Sequence, residues 1–180
     1  MACSSAHQAK QDWQRVTARD MYGMQLPPSF QRSFDMHPYA TLQYYDLERS
    51  IFLLGIEDAK ENLGDIKRRR LKLGGYFSFV EDIVLEEVQT FRREATQEFP
   101  LPGLYGFQVR VRDYEVIHEP WAPFPLYYRI AVYECEEYFF QVVIWMPYEG
   151  HCAYYDEIER ITQSFVLGKE AISEGPLSQR

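Results

Sequence analysis

The sequence has no uninterrupted apolar stretch near the roughly 18 residues that a membrane-crossing helix needs; its densest run is Phe139–Met146. That run is strand-length and rich in β-branched and aromatic residues, so it reads as a buried strand and not as a membrane span. Positive charge is in deficit: 19 Lys and Arg against 27 Asp and Glu leave a formal charge of -8. A chain of that sign lacks the basic face that phosphate neutralisation requires, which argues against a general nucleic-acid binder. Catalytic signatures are missing as well, with no glycine-rich phosphate loop, no His-Glu-x-x-His and no Gly-x-Ser-x-Gly. Neither a cofactor nor a catalytic metal is expected. Cysteine is scarce, with 3 in 180 residues. Cys135 and Cys152 flank the run 138–146, and a strand of about nine residues spans roughly 30 Å. A disulfide needs its Cα atoms within about 7 Å. No bridge is therefore expected between those two, and both are expected to be open to alkylation, which leaves Cys3 with a different role.

Apolar and aromatic residues are plentiful, at 46% and 16% of the chain, enough for one packed domain. Residues 1–19 are polar without apolar periodicity and read as a flexible tether, and residues 169–180 as a flexible tail, leaving a single domain over 20–168. Within it Tyr22–Leu26 reads as a short strand stopped by Pro27 and Pro28. Ala40–Tyr45 and Ile51–Glu57 follow, and the polar connector 46–50 makes them a hairpin. From Tyr76 the period becomes helical through Phe79, Val80, Ile83, Val88 and Phe91, with the intervening glutamates expected to face water. Phe107, Val109 and Val111 alternate with Gln108, Arg110 and Arg112, as in a strand with one wet face. After a proline-rich loop, 120–125, come Leu126–Glu134 and Tyr138–Met146, the least polar strands and hence expected to be central. Tyr154, Ile158, Ile161 and Phe165 then mark a second amphipathic helix. Strands in consecutive hairpin-like pairs favour an antiparallel α+β sheet.

Several words of the sequence resemble PsbP-like and Mog-like domains, and most of all bacterial lipoproteins of that fold: "YGMQLPPSF", "ATLQYYDLERSIFLLGIEDAKEN", and "YFFQVVIWMP" followed by "YDEIERITQSF". In the last pair the matching positions are Phe140, Gln141, Trp145, Ile161, Ser164 and Phe165. The resemblance runs over about residues 20–167 and departs in the loop 120–125 and at Met146-Pro147. It implies an α/β/α sandwich around a curved, mainly antiparallel sheet, and a protein that binds other proteins and is not an enzyme.

The start "MACSS" resembles the end of a lipoprotein signal, in which a small residue precedes the cysteine that is acylated. Ala2 fits the first position and Cys3 the lipidated thiol. Nothing precedes them but Met1, so the start reads as a cytosolic N-terminus or as a lipoprotein whose leader has been removed. The expectation is a monomeric, lipid-anchored protein of the bacterial cell envelope, attached to the membrane only through Cys3 and docking on an unidentified envelope protein, with a cytoplasmic address as the alternative. The basic run Lys67, Arg68, Arg69 and Arg70 reads as a solvated loop face, or else as a docking patch for an acidic partner or lipid headgroups. The competing functional class is a ligand-binding protein or a hydrolase. It would use either Asp113, Glu115, His118 and Glu119, as a general base or metal site at a strand end, or a groove lined by some of the tyrosines and tryptophans crowded between Tyr127 and Tyr155. The plainer readings are a polar strand edge and an aromatic core. His151-Cys152 lacks the spaced partners of a zinc site, and His37 reads as a loop residue.

Overall fold

Two-residue alternation dominates the chain, and strands dominate the architecture. The computed structural model describes residues 12–63, 72–86, 88, 90–100, 108–118 and 121–168. The first strands are β1 (Gln14–Ala18), β2 (Tyr22–Leu26), β3 (Gln31–Arg32), β4 (Leu42–Asp46) and β5 (Ile51–Ala59). Helix α1 (Leu73–Val84) leads to β6 (Thr90–Arg93), β7 (Gln97–Pro100), β8 (Gln108–His118), β9 (Leu126–Glu134) and β10 (Tyr138–Pro147). Helix α2 (His151–Gln163) and β11 (Val166–Leu167) complete the order. Among the described residues an 8-stranded sheet runs β3-β4-β5-β10-β9-β8-β6, with β7 also on β8, and a 3-stranded sheet runs β1-β2-β11. Every strand pairing in them is antiparallel.

The central strands β9 and β10 carry apolar side chains on both faces, so each face of the large sheet holds a core. On one face Tyr133, Phe140, Val142 and Ile144 pack under the small sheet (Val16, Met24, Leu26) and α2 (Ile158, Ile161). On the other, Tyr128, Ile130, Val132 and Phe139 meet Leu73, Tyr76, Phe77 and Val80 of α1. At its usual rise of about 1.5 Å per residue, α1 is a short rod, and it packs on β8, β9 and β10.

The structure departs from the sequence reading in instructive places. The stretch read as tether contains β1, whose Val16 and Ala18 are buried while Arg15 and Thr17 are exposed; five residues of weak alternation are held by pairing with β2. Helix α1 ends at Val84, and Phe91 belongs to an edge strand on β8. Val88 and Phe91 still pack against the core under α1, which is why the helical period seemed to continue through them. Glu81 does not face water: it is 7% exposed, accepts hydrogen bonds from Arg112 Nη1 at 2.6 Å and Tyr114 Oη at 2.7 Å, and pairs with Arg93 Nε at 3.0 Å. Three partners on neighbouring strands outweigh the cost of burying that carboxylate.

The two layers meet closely at Gly55 on β5. A Cβ there would lie 2.5 Å from the Tyr22 hydroxyl, which is fully buried and hydrogen-bonded to Thr41 Oγ1 at 3.0 Å. Gly55→Ala should therefore push Tyr22 off its partner and lower stability by about 1–3 kcal/mol, the usual cost of overpacking. Urea denaturation would read it, and an unchanged midpoint would show that the ring has room to move.

The β4–β5 turn also fastens α2. Arg49 Nε donates to Asp46 Oδ2 at 2.7 Å, Nη1 to Glu157 Oε1 at 2.6 Å and Nη2 to Ser29 Oγ at 2.7 Å. Burial would raise the Asp46 pKa, but hydrogen bonds from Ser29 and Arg49 outweigh it and hold the carboxyl below its ordinary value. A carboxyl lowered in the folded state stabilises above its unfolded pKa, and that contribution is lost as pH falls through the folded one. Asp46→Asn should cost roughly 1.5–3 kcal/mol at neutral pH, the worth of a charge-assisted hydrogen bond. The gap from the native protein should close as pH drops below 3.8. A gap independent of pH would remove Asp46 from the acid response.

Candidate functional site

Cys3, Lys67, Arg68, Arg69, Arg70 and Glu119 lie outside the described residues. Asp113, Glu115 and His118 all fall on β8, and the strand does not bring them together. Asp113 is buried and takes both Arg129 Nε and Nη2, at 2.7 and 2.8 Å. Glu115 pairs with Arg92 of the edge strand at 3.2 Å. His118 is exposed and lies past a register shift in the pairing with β6, where Thr90 faces His118 and Phe91 faces Val116. A base needs its partner within hydrogen-bond reach, and these three residues do not form such a group.

Arg129, which the sequence hides inside an apolar strand, is the largest fully buried side chain, at 1% exposure. Besides Asp113 it reaches Glu159 of α2 at 2.6 Å, and its guanidinium lies 4.9 Å from the Tyr155 ring centre. Burial alone would lower its pKa; the hydrogen bond to Asp113 and the charges around it prevail and keep it protonated. Beside it the buried Tyr127 hydroxyl has no hydrogen-bond partner of ordinary geometry, and burial drives its pKa well up. This cluster joins α2 to the sheet from within.

Cys135 is free and buried, and burial pushes its thiol up. Cys152 is disulfide-bonded, and not to Cys135, which is free; with three cysteines in the sequence that bond leaves no thiol for the lipid expected at Cys3, so the expectations of an alkylatable Cys152 and of an acylated Cys3 both give way. The reach of β10 constrains only the two cysteines that flank it.

The other face of the sheet carries an open groove of about 600 Å³. Its origin is visible in the strands. Along β5 and β10, Ile51, Leu53, Val142 and Ile144 are buried toward α2, whereas Phe52, Leu54, Ile56, Val143 and Trp145 on the α1 side are only half-buried. Apolar residues on both faces of a strand call for cover on both, and α1 meets β5 at the end of that strand, through Tyr76 and Asp58, leaving these side chains only half-buried. Leu54, Ile56, Val143, Trp145 and Tyr128 form the floor, Phe79, Ile83 and Val84 of α1 one wall, and Trp121, His37 and Tyr39 the remaining rim. Tyr39, Trp121 and Ile83 are 78%, 58% and 52% exposed. Such a run of exposed apolar side chains marks an interaction site more often than bare surface.

The floor and rim are braced from below. Phe52, Trp145 and Tyr128, on three adjacent strands, stack in a row at 5.4 and 6.3 Å. Gln43 of β4 holds the rim loop: its Oε1 accepts from the backbone of Met36 and His37 at 2.8 and 3.1 Å, and its Nε2 donates to the carbonyls of His37 and Ala40 at 3.0 and 2.8 Å. The polar groups of the groove are few. Asp58 at the end of β5 accepts a hydrogen bond from Tyr76 of α1, whose ring stacks on Phe139 at 4.2 Å. Gln141 Nε2 lies 3.5 Å from the same hydroxyl. Burial first, then the hydrogen bond to Asp58 and its charge, drive the Tyr76 pKa far up, so the phenol remains a donor.

Sequence reasoning reached Tyr128 and Trp145 as members of an aromatic groove, but it placed Phe79 and Ile83 on the core face of α1 and singled out neither Asp58 nor Trp121. The lining comes from stretches far apart in the chain, and no local pattern joins them.

No protein-family model matches the chain, and no curated protein matches it significantly. Solved structures do. The solution structure of cyanobacterial PsbP (CyanoP) from Synechocystis matches with a TM-score of 0.61 at 12% identity, covering 91% of this chain and 97% of that one. The crystal structure of PA94 from Pseudomonas aeruginosa, a protein of unknown function, matches with a TM-score of 0.51 at 12% identity, covering 86% and 96%. The mostly antiparallel sheet with its two helices is thus a PsbP-like fold. At such identities the likeness speaks for the fold alone.

Proposed function

We propose that this chain is a non-catalytic, monomeric protein of the bacterial cell envelope that docks on another envelope protein through the groove beside α1. The uncovered apolar face of β5 and β10 carries this reading: half-buried aromatic and aliphatic side chains on a braced floor suit a partner's surface. The layering belongs, in this reading, to the α/β/α sandwich that PsbP-like and Mog-like domains share. The hydrolytic alternative is the less favoured, because Asp113 is committed to Arg129; a small-ligand site in the groove is the second reading, favoured by a volume within the range of ligand pockets.

Docking is tested by cross-linking in cells that express the protein from its own gene: Ile83→Glu, at an exposed wall position, should remove the cross-linked product while the fold persists. A product that survives Ile83→Glu places the contact elsewhere.

A further inference from the structure

The charge of the groove narrows what it accepts. Of its described lining residues only Asp58 is an acid, and none is a lysine or arginine. The hydrogen bond from Tyr76 fixes the direction of that carboxylate. Lys60, two residues on, is already committed: its ammonium is 2.8 Å from Glu134 and 4.6 Å from the centre of the Phe139 ring. An oriented carboxylate with no lysine or arginine in the described lining shares the groove with Trp145 and Tyr128 of the floor and with Trp121 and Tyr39 of the rim. Aromatic faces are electronegative and attract cations, but those of Trp145 and Tyr128 are turned on each other in the floor stack, so the carboxylate is the principal anchor the groove offers a cation. Leu54, Ile56 and Val143 between them offer surface for an alkyl stem. The whole chain, at a formal charge of -8, adds a field that draws cationic partners and repels anionic membrane surfaces.

We propose that the groove captures a basic segment of a partner protein, an arginine or lysine flanked by apolar residues, with the cation directed to Asp58 and its stem along Leu54, Ile56 and Val143. The inference rests on the docking reading above and specifies its partner's chemistry. Desolvation of the site by the flanking apolar residues strengthens the charge pair. A cation alone would keep its water, and an apolar segment alone would leave Asp58 without a lysine or arginine among the described lining residues, so recognition draws on both.

The test uses the full chain and two acetylated, amidated pentapeptides of alternating leucine and arginine, one of them with citrulline, the neutral isostere, replacing arginine. Titration is followed by tryptophan fluorescence and calorimetry. The arginine peptide should bind at least about tenfold more tightly than the citrulline peptide, as expected for a charge-assisted contact. Asp58→Asn, which keeps an acceptor for Tyr76, should bring the arginine peptide to the level of the citrulline peptide and leave the latter unchanged. Equal binding of the two peptides to the native protein, both weakened by Trp121→Ala, would overturn the cationic specificity while leaving the docking groove intact. Failure of both peptides to bind would overturn the inference and the groove reading together. Binding of phosphatidylcholine vesicles in place of the peptides would assign the groove to a membrane and overturn the choice of partner.

Discussion

Arg129→Met should lower the stability of the protein by about 3–5 kcal/mol, the cost of breaking a buried ion pair from one side. The guanidinium is 1% exposed and satisfies both oxygens of Asp113, itself buried, and one of Glu159. Methionine fills much of the volume, so the loss is electrostatic: Asp113 is left charged, desolvated and without a donor. The other changes in the cluster should separate this from packing. Glu159→Gln should cost no more than about 1 kcal/mol, because that carboxylate lies at the solvent side of α2 and pays little for its burial. Arg129→Met with Asp113→Leu removes both charges, and should recover most of the loss, as apolar replacement of whole ion pairs often does. Urea denaturation of the four proteins at neutral pH would decide. A double variant as unstable as Arg129→Met alone would mean that shape, and not the stranded carboxylate, sets the cost.

Phe165→Ala should be nearly as damaging, with a loss of about 3–5 kcal/mol, as for other buried rings. Phe165 lies just past α2 and is 3% exposed. Its ring stacks on Tyr133 at 4.0 Å and meets Phe140 at 5.4 Å and Tyr22 at 5.8 Å. It joins the large sheet, the small sheet and the end of α2 at one point, and the neighbouring rings belong to strands that cannot collapse into the space it leaves. Val166 and Leu167 follow directly and pair with Gly23 and Tyr22, so exchange of the amides in β11 should accelerate along with the global loss. Phe79→Ala on the groove wall is the control: that ring is 38% exposed, and its removal should cost much less. A Phe165→Ala loss under about 1 kcal/mol would show that the ring contributes less than full burial implies.

What the sequence revealed of the fold follows the length and purity of each pattern. Leu126–Glu134 coincides with β9 and Tyr138–Met146 stops one residue short of β10, because strands apolar on both faces sit centrally and end at Glu-rich turns or proline. The hairpin of β4 and β5 was legible from its polar connector. Strands β3, β6, β7 and β11 span two to four residues and exist by pairing, not by propensity, so no local signal announces them. The helical period over Tyr76–Phe91 extended past the end of α1 because the following edge strand returns its apolar residues to the same core. Charge was the hardest feature to place. Glu81, Asp113 and Arg129 are ordinary polar letters until the register sets Asp113 opposite Arg129 and the helices approach. The groove was the least legible, since it arises from the limited reach of α1 over the sheet and not from a word in the sequence.

A single side-chain amide settles when the cost of shaping the groove's mouth is met. Gln43 is 6% exposed and makes four hydrogen bonds to the backbone of residues 36–40. The conformational entropy of that loop is thus surrendered when the protein folds, and an incoming partner meets a wall already standing. Ordering a comparable loop on contact would subtract from affinity and slow productive encounters. With the mouth preformed, selectivity falls to the shape and charge of the visitor, and the lifetime of the complex is set by how readily that visitor withdraws.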